Sequence, residues 1–212
     1  MLHIKSFVFN PIQENTYILF NEINDCIIID PGCYFDDEKK LLKNFIEEKK
    51  LTPQFLLNTH CHLDHVFGNK FIAEEYNLHL YIHPKEKEML DLAPTLGLLY
   101  DMPFNNYNGR LVYLNEDDNV LLGEDELSVM ETPGHSPGSI CFYCKKQHFI
   151  ISGDVLFYHS IGRTDLPGGD YQTLINSIQN KLFQLPKNTG VFSGHGPSTT
   201  IGEEKKHNPF LN

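Results

Sequence analysis

Basic residues are scarce in this chain, which has 17 lysines and arginines against 28 aspartates and glutamates and a formal net charge of −11. A broad basic surface, which phosphate backbones and anionic membranes require, is therefore not predicted, and we expect neither nucleic acid nor a membrane as a partner. Long apolar runs are also lacking, because no stretch approaches the roughly 18 residues that indicate a spanning helix. The first twenty residues do not show the three regions of a signal peptide, so we expect a cytoplasmic protein.

Cysteines are few, and their number is odd: Cys26, Cys33, Cys61, Cys141 and Cys144. Such a count in a chain of 212 residues does not predict a disulfide framework. Cys141 and Cys144 have the spacing of a redox or zinc pair, but residues three apart on a strand face opposite sides, which favours core packing. The 41% of hydrophobic residues can bury a substantial core, and we predict a single domain over residues 1–212.

Apolar patterning predicts a chain rich in strands with helices between them. The predicted strands are LHIKSFVF, NTYILF, CIIIDPG, QFLLN, LHLYIH, VLLG, LSVMET, SICFYC, HFIIS and GVFSG. Helical periodicity predicts amphipathic helices over residues 36–50 and 170–185, and a further helix near residues 69–76. The stretch from Pro84 to about Asn115 mixes prolines, glycine and apolar residues, and we predict an irregular segment that shapes a pocket entrance, as a lid would.

A dense group of metal-ligand residue types occurs in THCHLDH, immediately after the predicted strand QFLLN. His60 and His62 are two residues apart on extended backbone, where both side chains project the same way and can bind one ion together. Asp64 and His65 follow where the chain should turn into a helix, so they can begin a second metal site a few Å away. Alternation should turn Cys61 away from both sites.

Three further ligand types stand at the ends of predicted strands: His135 in ETPGHSPGS, Asp154 in IISGDVLF and His195 in VFSGHGP. Strand ends fix backbone geometry, and the neighbouring glycines allow the backbone to pass close to bound ions. Single histidines more often serve local hydrogen bonding. We assign that role to the remaining six, His3, His79, His83, His148, His159 and His207.

The motifs resemble the metallo-β-lactamase superfamily, and within it the glyoxalase II-like (hydroxyacylglutathione hydrolase-like) thioesterases. They are THCHLDH, TPGHSPGS, SGDVLF, GRTDLPGGD, GHGPSTTIGEE and the terminal NPFL, and together they span nearly the whole chain. The resemblance implies an α/β fold of four layers, the αβ/βα sandwich, with two mixed β-sheets face to face and helices outside. Full-length glyoxalase II enzymes bind glutathione partly with a helical carboxyl-terminal domain, and the resemblance implies no such domain in this chain.

The resemblance also implies how the ligands divide between two divalent metal ions. His60, His62 and His135 would hold the first ion, Asp64, His65 and His195 the second, and Asp154 would bridge both. We expect zinc, although iron and manganese suit the same ligand types. Metal-bound hydroxide would attack the carbonyl carbon, and Asp64 and Asp154 are the catalytic candidates at the centre.

The expected activity is hydrolysis of S-lactoylglutathione or a related acyl thioester. Because a similar GRTD run occurs in iron-dependent persulfide dioxygenases on the same scaffold, that activity is the first alternative, followed by lactone or ester hydrolysis. A catalytically silent metal-binding module is the most remote one.

Arg163 is the main candidate for a substrate contact, because similar hydrolases of glutathione thioesters carry a basic residue there that binds a substrate carboxylate. The alternative is that Arg163 pairs with Asp165 or Asp170 and braces the loop. Tyr158 and His159 are further candidates for lining the same pocket. Two other positions that resemble the family, Asp30 and Asn15, are explained by turn formation and strand capping. We therefore assign them no site role.

Overall fold

The structure is a computed structural model that describes residues 1–211. The strands are β1 (His3–Phe9), β2 (Glu14–Phe20), β3 (Asp25–Ile29), β4 (Thr52–Leu57), β5 (Leu80–Ile82), β6 (Leu111–Tyr113), β7 (Asn119–Leu122), β8 (Asp125–Glu131), β9 (Ile140–Cys144), β10 (Phe149–Gly153), β11 (Leu156–Phe157), β12 (Ser160–Ile161), β13 (Gly190–Ser193) and β14 (Thr199–Thr200). The helices are α1 (Asp36–Glu48), α2 (Leu63–Val66), α3 (Asn69–Tyr76), α4 (Lys87–Leu99), α5 (Tyr171–Asn180) and α6 (Ile201–His207).

Two six-stranded mixed sheets form the framework. The first sheet has the order β1-β2-β3-β4-β5-β6, antiparallel up to β3 and parallel from there onward. The second has the order β14-β13-β10-β9-β8-β7, in which only β10 and β13 run parallel. A small hairpin, β11-β12, stands apart from both sheets.

Three apolar clusters separate the layers. One lies between the sheets, where Ile27 and Leu57 of the first sheet meet Phe142 and Ile151 of the second. Another packs α1, α3 and α4 on the outer face of the first sheet, and the third packs α5 and α6 on the outer face of the second. The predicted αβ/βα arrangement of four layers is therefore confirmed.

The strand predictions are confirmed at every segment, and the two cysteines of β9 behave as alternation requires. Cys141 packs in the cluster under α5, whereas Cys144 packs between the sheets. All five cysteines are free and buried. The helix predicted over residues 170–185 is shorter, because α5 ends at Asn180 and a separate 3-10 turn covers Leu182–Gln184.

The prediction of an irregular segment from Pro84 to Asn115 is wrong for its first half, which contains the 13-residue helix α4, and near its end, where β6 pairs with β5. Pro94 lies inside this helix and cannot donate to the carbonyl of Leu90, four residues earlier. The side-chain amide of Asn106 donates to that carbonyl instead, at 2.6 Å. A contact from outside the helix therefore replaces the hydrogen bond that the proline removes. Among residues 1–211, no helix has the length and apolar character needed to cross a membrane.

Candidate metal centre

The predicted ligands stand where strands of both sheets end. His60 and His62 follow β4, and the short helix α2 carries Asp64 and His65. The backbone of His62 is extended, with φ −66° and ψ 155°, before the chain turns into the helix. This change from strand to helix separates the direction of the first two side chains from that of the second two.

The other three predicted ligands come from the second sheet. His135 lies in the loop between β8 and β9, Asp154 directly follows β10, and His195 follows β13. Because β10 and β13 are parallel neighbours, Asp154 and His195 emerge at the same edge. The structure therefore brings all seven predicted side chains together between the two sheets.

Three imidazoles form the first group. His62 Nδ1 lies 2.8 Å from His135 Nε2, which lies 3.2 Å from His60 Nε2. Ligand atoms at about 2.0–2.1 Å from a tetrahedral zinc ion are roughly 3.3 Å apart, so these nitrogens are spaced for one ion. This group could hold the first cation.

The second group consists of Asp64, His65 and His195, whose ligand atoms lie within 4.8 Å of one another. Asp64 Oδ2 is 3.1 Å from His195 Nε2 and 3.6 Å from His65 Nε2. Asp154 lies between the groups, with Oδ2 3.5 Å from both His135 Nε2 and His195 Nε2, and Oδ1 3.5 Å from His65 Nε2. Its two oxygens thus face nitrogens of both groups.

Two buried atoms at this centre test whether a cation fits. His65 Nε2 and Asp154 Oδ1 have no hydrogen-bond partner among the described residues, although both are fully shielded from solvent. Buried polar atoms are normally satisfied, and leaving one unpaired is costly. A cation between these two atoms would satisfy both, so the residues fit a metal ion.

The protonation states of the first group also suit a metal. Burial, reinforced by the neighbouring histidines, lowers the pKa of His60 well below its usual value. Burial and His135 lower the pKa of His62 to about 3. Both imidazoles are therefore neutral at physiological pH, and the neutral ring is the form that ligates metals.

In the second group the carboxylates dominate the electrostatics. Burial alone would lower the pKa of His65, but Asp64, Asp154 and Asp30 raise it well above its usual value. Burial would raise the pKa of Asp154, yet His65 and other histidines hold it below the usual range. The ionised carboxylates create a strongly negative site, and a proton on His65 supplies the positive charge that a cation would otherwise provide.

Asp30 positions His65, a role that we did not predict. Its carboxylate accepts hydrogen bonds from the backbone and hydroxyl of Thr59 and from Asn58, and Oδ2 lies 3.1 Å from His65 Nδ1. A carboxylate on the far nitrogen fixes the ring orientation of a ligating histidine. The position of Asp30 in the sequence indicates this role, because Asp30 follows β3, and β3 is the parallel neighbour of the strand β4 that precedes His60.

Glu86 joins the two loops of the first group, and it falls within the stretch that we predicted to be irregular. Its fully buried carboxylate accepts from the backbone of Cys61 at 2.7 Å, from the hydroxyl of Ser136 at 2.5 Å and from the backbone of Gly138 at 2.7 Å. The Cys61 side chain packs into the core instead of the metal centre, as alternation predicted. Nothing in the local sequence marks Glu86 for this task.

Asn15 holds the loop that carries His195. Its side-chain amide donates at 2.9 Å to the carbonyls of Ser193 and Gly196, which flank the histidine. Gly194 allows the close approach, because a Cβ there would lie 2.1 Å from Asp154 Oδ1. At Gly196 the requirement is different, since nothing lies within 4 Å of such a Cβ but φ is +71°.

A cavity of about 610 Å³ opens onto the metal centre. Five predicted ligands line it, namely His62, Asp64, His135, Asp154 and His195. Its remaining walls consist of Ile12, Leu63, Met89, Leu96, Tyr100, Met102, Phe157, Arg163, Leu166 and Pro167. Residues of the 84–115 stretch therefore contribute an apolar wall.

Of the three predicted substrate contacts, only Arg163 lines the cavity. Arg163 lines the cavity and is also paired with Asp165, with Nε and Nη2 each donating at 2.7 Å. Tyr158 and His159 are not among the lining residues, and His159 Nε2 instead lies 2.9 Å from Glu203. Phe157 lines the cavity in their place. Asp170 caps α5 by accepting from the backbone of Thr173 and is not the partner of Arg163.

Residues 9–195 match the family model described as the metallo-beta-lactamase superfamily. The chain belongs to this superfamily. It is 41% identical over 209 residues to the probable metallo-hydrolase YqgX of Bacillus subtilis, covering 95% of this chain and 94% of the relative. It is 35% identical over 215 residues to the hydroxyacylglutathione hydrolase GloC of Haemophilus influenzae, covering 100% and 99% of the two chains.

Solved structures show the same superfamily fold. The B3 metallo-beta-lactamase BLEG-1 matches with a TM-score of 0.90 and 41% identity over 99% of this chain and 100% of that one. TTHA1623, solved in a di-iron-bound form, matches at 0.88 and 35% over 98% and 100%. ETHE1 from Myxococcus xanthus matches at 0.80 and 25% over 98% and 83%. The superfamily fold and the histidine–aspartate clusters together fit a dinuclear metal site.

Metal removal should destabilise this superfamily member, because ions that bind only the folded chain stabilise it by mass action. At free metal about 1,000 times the dissociation constant, the loss corresponds to roughly 4 kcal/mol, or a fall of roughly 8–16 °C in Tm. Calorimetry of chelator-treated protein measures this change, and zinc added back should restore the transition. If Tm were the same with and without metal, these side chains would not form a metal centre.

Proposed function

We propose that this protein is a metal-dependent hydrolase with a dinuclear centre that cleaves S-lactoylglutathione or a related acyl thioester. The observation that carries the proposal is the convergence of the seven ligand-type side chains, five of which line one cavity. His60, His62 and His135 would hold one ion, and Asp64, His65 and His195 the other. Asp154 would contact both.

The chemistry needs a nucleophile and a stabilised oxyanion. When bound, two divalent cations would acidify a water molecule and polarise the substrate carbonyl. The ligand set contains only two carboxylates, Asp64 and Asp154, so positive charge is left over to favour a developing oxyanion and a departing thiolate. A thiolate of this chain is an unsuitable nucleophile, because burial raises the pKa of the nearby Cys61 well above its usual value.

The cavity suits an acyl thioester that carries a carboxylate. Met89, Leu96 and Met102 provide an apolar wall that excludes water from the acyl group. Arg163 places an exposed guanidinium on the same cavity, where it can bind an anionic group. The likeness to GloC supports a hydroxyacyl thioester of glutathione as the substrate.

Zinc is the proposed metal because imidazole and carboxylate ligands suit it, and the di-iron form of TTHA1623 makes iron the principal alternative. We also propose that the protein works in the cytoplasm. Its five cysteines, all free, agree with a reducing compartment.

The test is a substrate panel on metal-loaded protein. We expect hydrolysis of S-lactoylglutathione with a kcat/KM of at least about 10⁴ M⁻¹s⁻¹, within the usual range of enzymes on their own substrates. Asp64→Asn, which removes a ligand charge, is the inactive control. Oxygen consumption with glutathione persulfide, and no thioester cleavage, would establish the dioxygenase instead.

A second candidate is hydrolysis of a β-lactam, which the likeness to BLEG-1 favours. A strained cyclic amide is attacked by the same chemistry as a thioester, so one centre can serve both. The panel therefore includes a chromogenic cephalosporin and a simple lactone. A kcat/KM that is higher for the cephalosporin than for every thioester would make the β-lactam the substrate class.

Arg163→Ala should raise KM for substrates with a carboxylate by up to roughly fivefold, because an exposed charge pair is worth about 0.2–1 kcal/mol. The kcat should change little, because the group binds away from the reacting bond. Asp165→Asn is the matched variant, since it releases Arg163 from its bidentate pair and should lower KM for the same substrates. An equal loss on neutral esters in Arg163→Ala would show that the residue only braces its loop.

A further inference from the structure

A second group of metal-ligand side chains lies outside the cavity, at the tip of the β11-β12 hairpin. It consists of His159, Glu203 and His207, whose ligand atoms all lie within 4.8 Å of one another. His159 stands in the turn between the two strands, while Glu203 and His207 are one helical turn apart on α6. We name this group the hairpin triad. None of its members belongs to the dinuclear centre.

The two histidines of the hairpin triad both approach one oxygen of Glu203. His159 Nε2 and His207 Nδ1 each lie 2.9 Å from the same oxygen, Glu203 Oε1. Hydrogen bonds from the two histidines hold the pKa of Glu203 below its usual range, so it is a carboxylate. Two imidazole nitrogens around one carboxylate are a ligand set that late first-row divalent ions prefer. The side chains are 36–44% exposed, which leaves room for water ligands.

The surrounding structure fixes the triad before any ion binds. The backbone N–H of His159 donates to Glu204 Oε2 at 3.0 Å. Glu204 is fully buried and also accepts from Thr199 and Asn208. The ring of Tyr158 stacks on that of His159 with centroids 4.1 Å apart. Because these contacts already order the ligands, an ion would bind with little further loss of conformational entropy.

We propose that the hairpin triad is a third divalent-cation site, suited to Zn²⁺, that fastens the β11-β12 hairpin to α6. The hairpin reaches the active cavity, since Phe157 of β11 lines it and lies 6.2 Å from the ring of His195. Arg163, which also lines the cavity, is the second residue after β12. An ion at the triad therefore restrains one wall of the cavity without touching the dinuclear centre.

Calorimetric titration of Zn²⁺ into protein that already holds its tightly bound ions tests the proposal. We expect one further equivalent in the unaltered protein, and binding weakened by at least about tenfold in His207→Gln, which removes one of three ligands. His3→Gln is the matched control. His3 also pairs with a glutamate, Glu22, at 3.0 Å but has no second histidine, so this variant should keep the further equivalent.

Hydrogen exchange gives an independent readout. Zinc should slow exchange of the amides at residues 158–161 in the unaltered protein and in His3→Gln, but not in His207→Gln. Absence of the further equivalent, or its equal binding by His207→Gln, would overturn the proposal and leave only a hydrogen-bonded surface cluster. Because His207 lies outside the dinuclear centre, thioester hydrolysis is read separately, and failure of either proposal is recognisable without the other.

Discussion

Replacing Asp154 with alanine should lower kcat/KM at least about a hundredfold and cost the protein at least one metal ion. Its two oxygens lie 3.5 Å from nitrogens of His65, His135 and His195, so one carboxylate contacts both ligand groups. Partners of ligands alone are worth 10- to 100-fold in metal affinity or activity, and Asp154 would be a ligand itself. The fold should survive, because Asp154 lies at the end of β10 outside the apolar clusters.

Metal analysis, activity and circular dichroism on the same preparation measure these effects. Asp154→Asn preserves the shape but removes the charge, and we expect an intermediate loss of metal. Gly194→Ala is a second variant, because its new Cβ would lie 2.1 Å from Asp154 Oδ1 and must displace the carboxylate. Full metal content in Asp154→Ala would refute the bridging role.

Replacing Glu86 with alanine should lower both stability and metal binding, although the residue faces no substrate. Three buried donors, on Cys61, Ser136 and Gly138, would lose their acceptor. Each unsatisfied donor costs roughly 1–3 kcal/mol. Since the carboxylate joins the loops of His62 and His135, the first ion should also bind 10- to 100-fold more weakly, as expected for a group that orients ligands.

Two glutamine variants separate position from charge. Glu86→Gln can keep the oxygen that accepts from Ser136 and Gly138 but not the acceptor for Cys61, so it should show a smaller loss than alanine. Glu88→Gln, at an exposed position in the first turn of α4 and two residues after Glu86, should match the unaltered protein. Chemical denaturation and zinc competition measure the two effects. Equal zinc affinity in all three variants would show that Glu86 only stabilises the fold.

The strands and the main helices follow from the sequence because their signals are local. Alternation with a period of two predicts strands, and an apolar face with a period of 3.6 predicts α1, in which Leu42 and Ile46 are buried. Four of the predicted ligands are also close together in the sequence. His60, His62, Asp64 and His65 lie within six positions, so their grouping required no knowledge of the fold.

Local signals fail where a distant residue changes the outcome. The proline and glycine of the 84–115 stretch predict irregular backbone, yet α4 packs Met89, Leu90 and Ala93 into the core, and Asn106 satisfies the carbonyl that Pro94 leaves free. Asp30 is a reasonable turn residue in isolation, and only the parallel pairing of β3 with β4 brings it against His65. Tyr158 and His159 follow Phe157 directly, but the turn of the hairpin directs His159 to α6, with the ring of Tyr158 stacked on it, instead of to the cavity.

By itself, the sequence determined the strand-rich α/β class and the ligand chemistry at four strand ends. Only the tertiary structure decided that these ends meet, which carboxylates orient the histidines, and which residues form the cavity wall. The physical reason is the distance along the chain between the residues that interact. Periodicity and turn chemistry act over a few residues, whereas His60 meets His135 across 75 positions and Tyr17 meets Ser193 across 176. Such contacts exist only after two sheets have packed face to face.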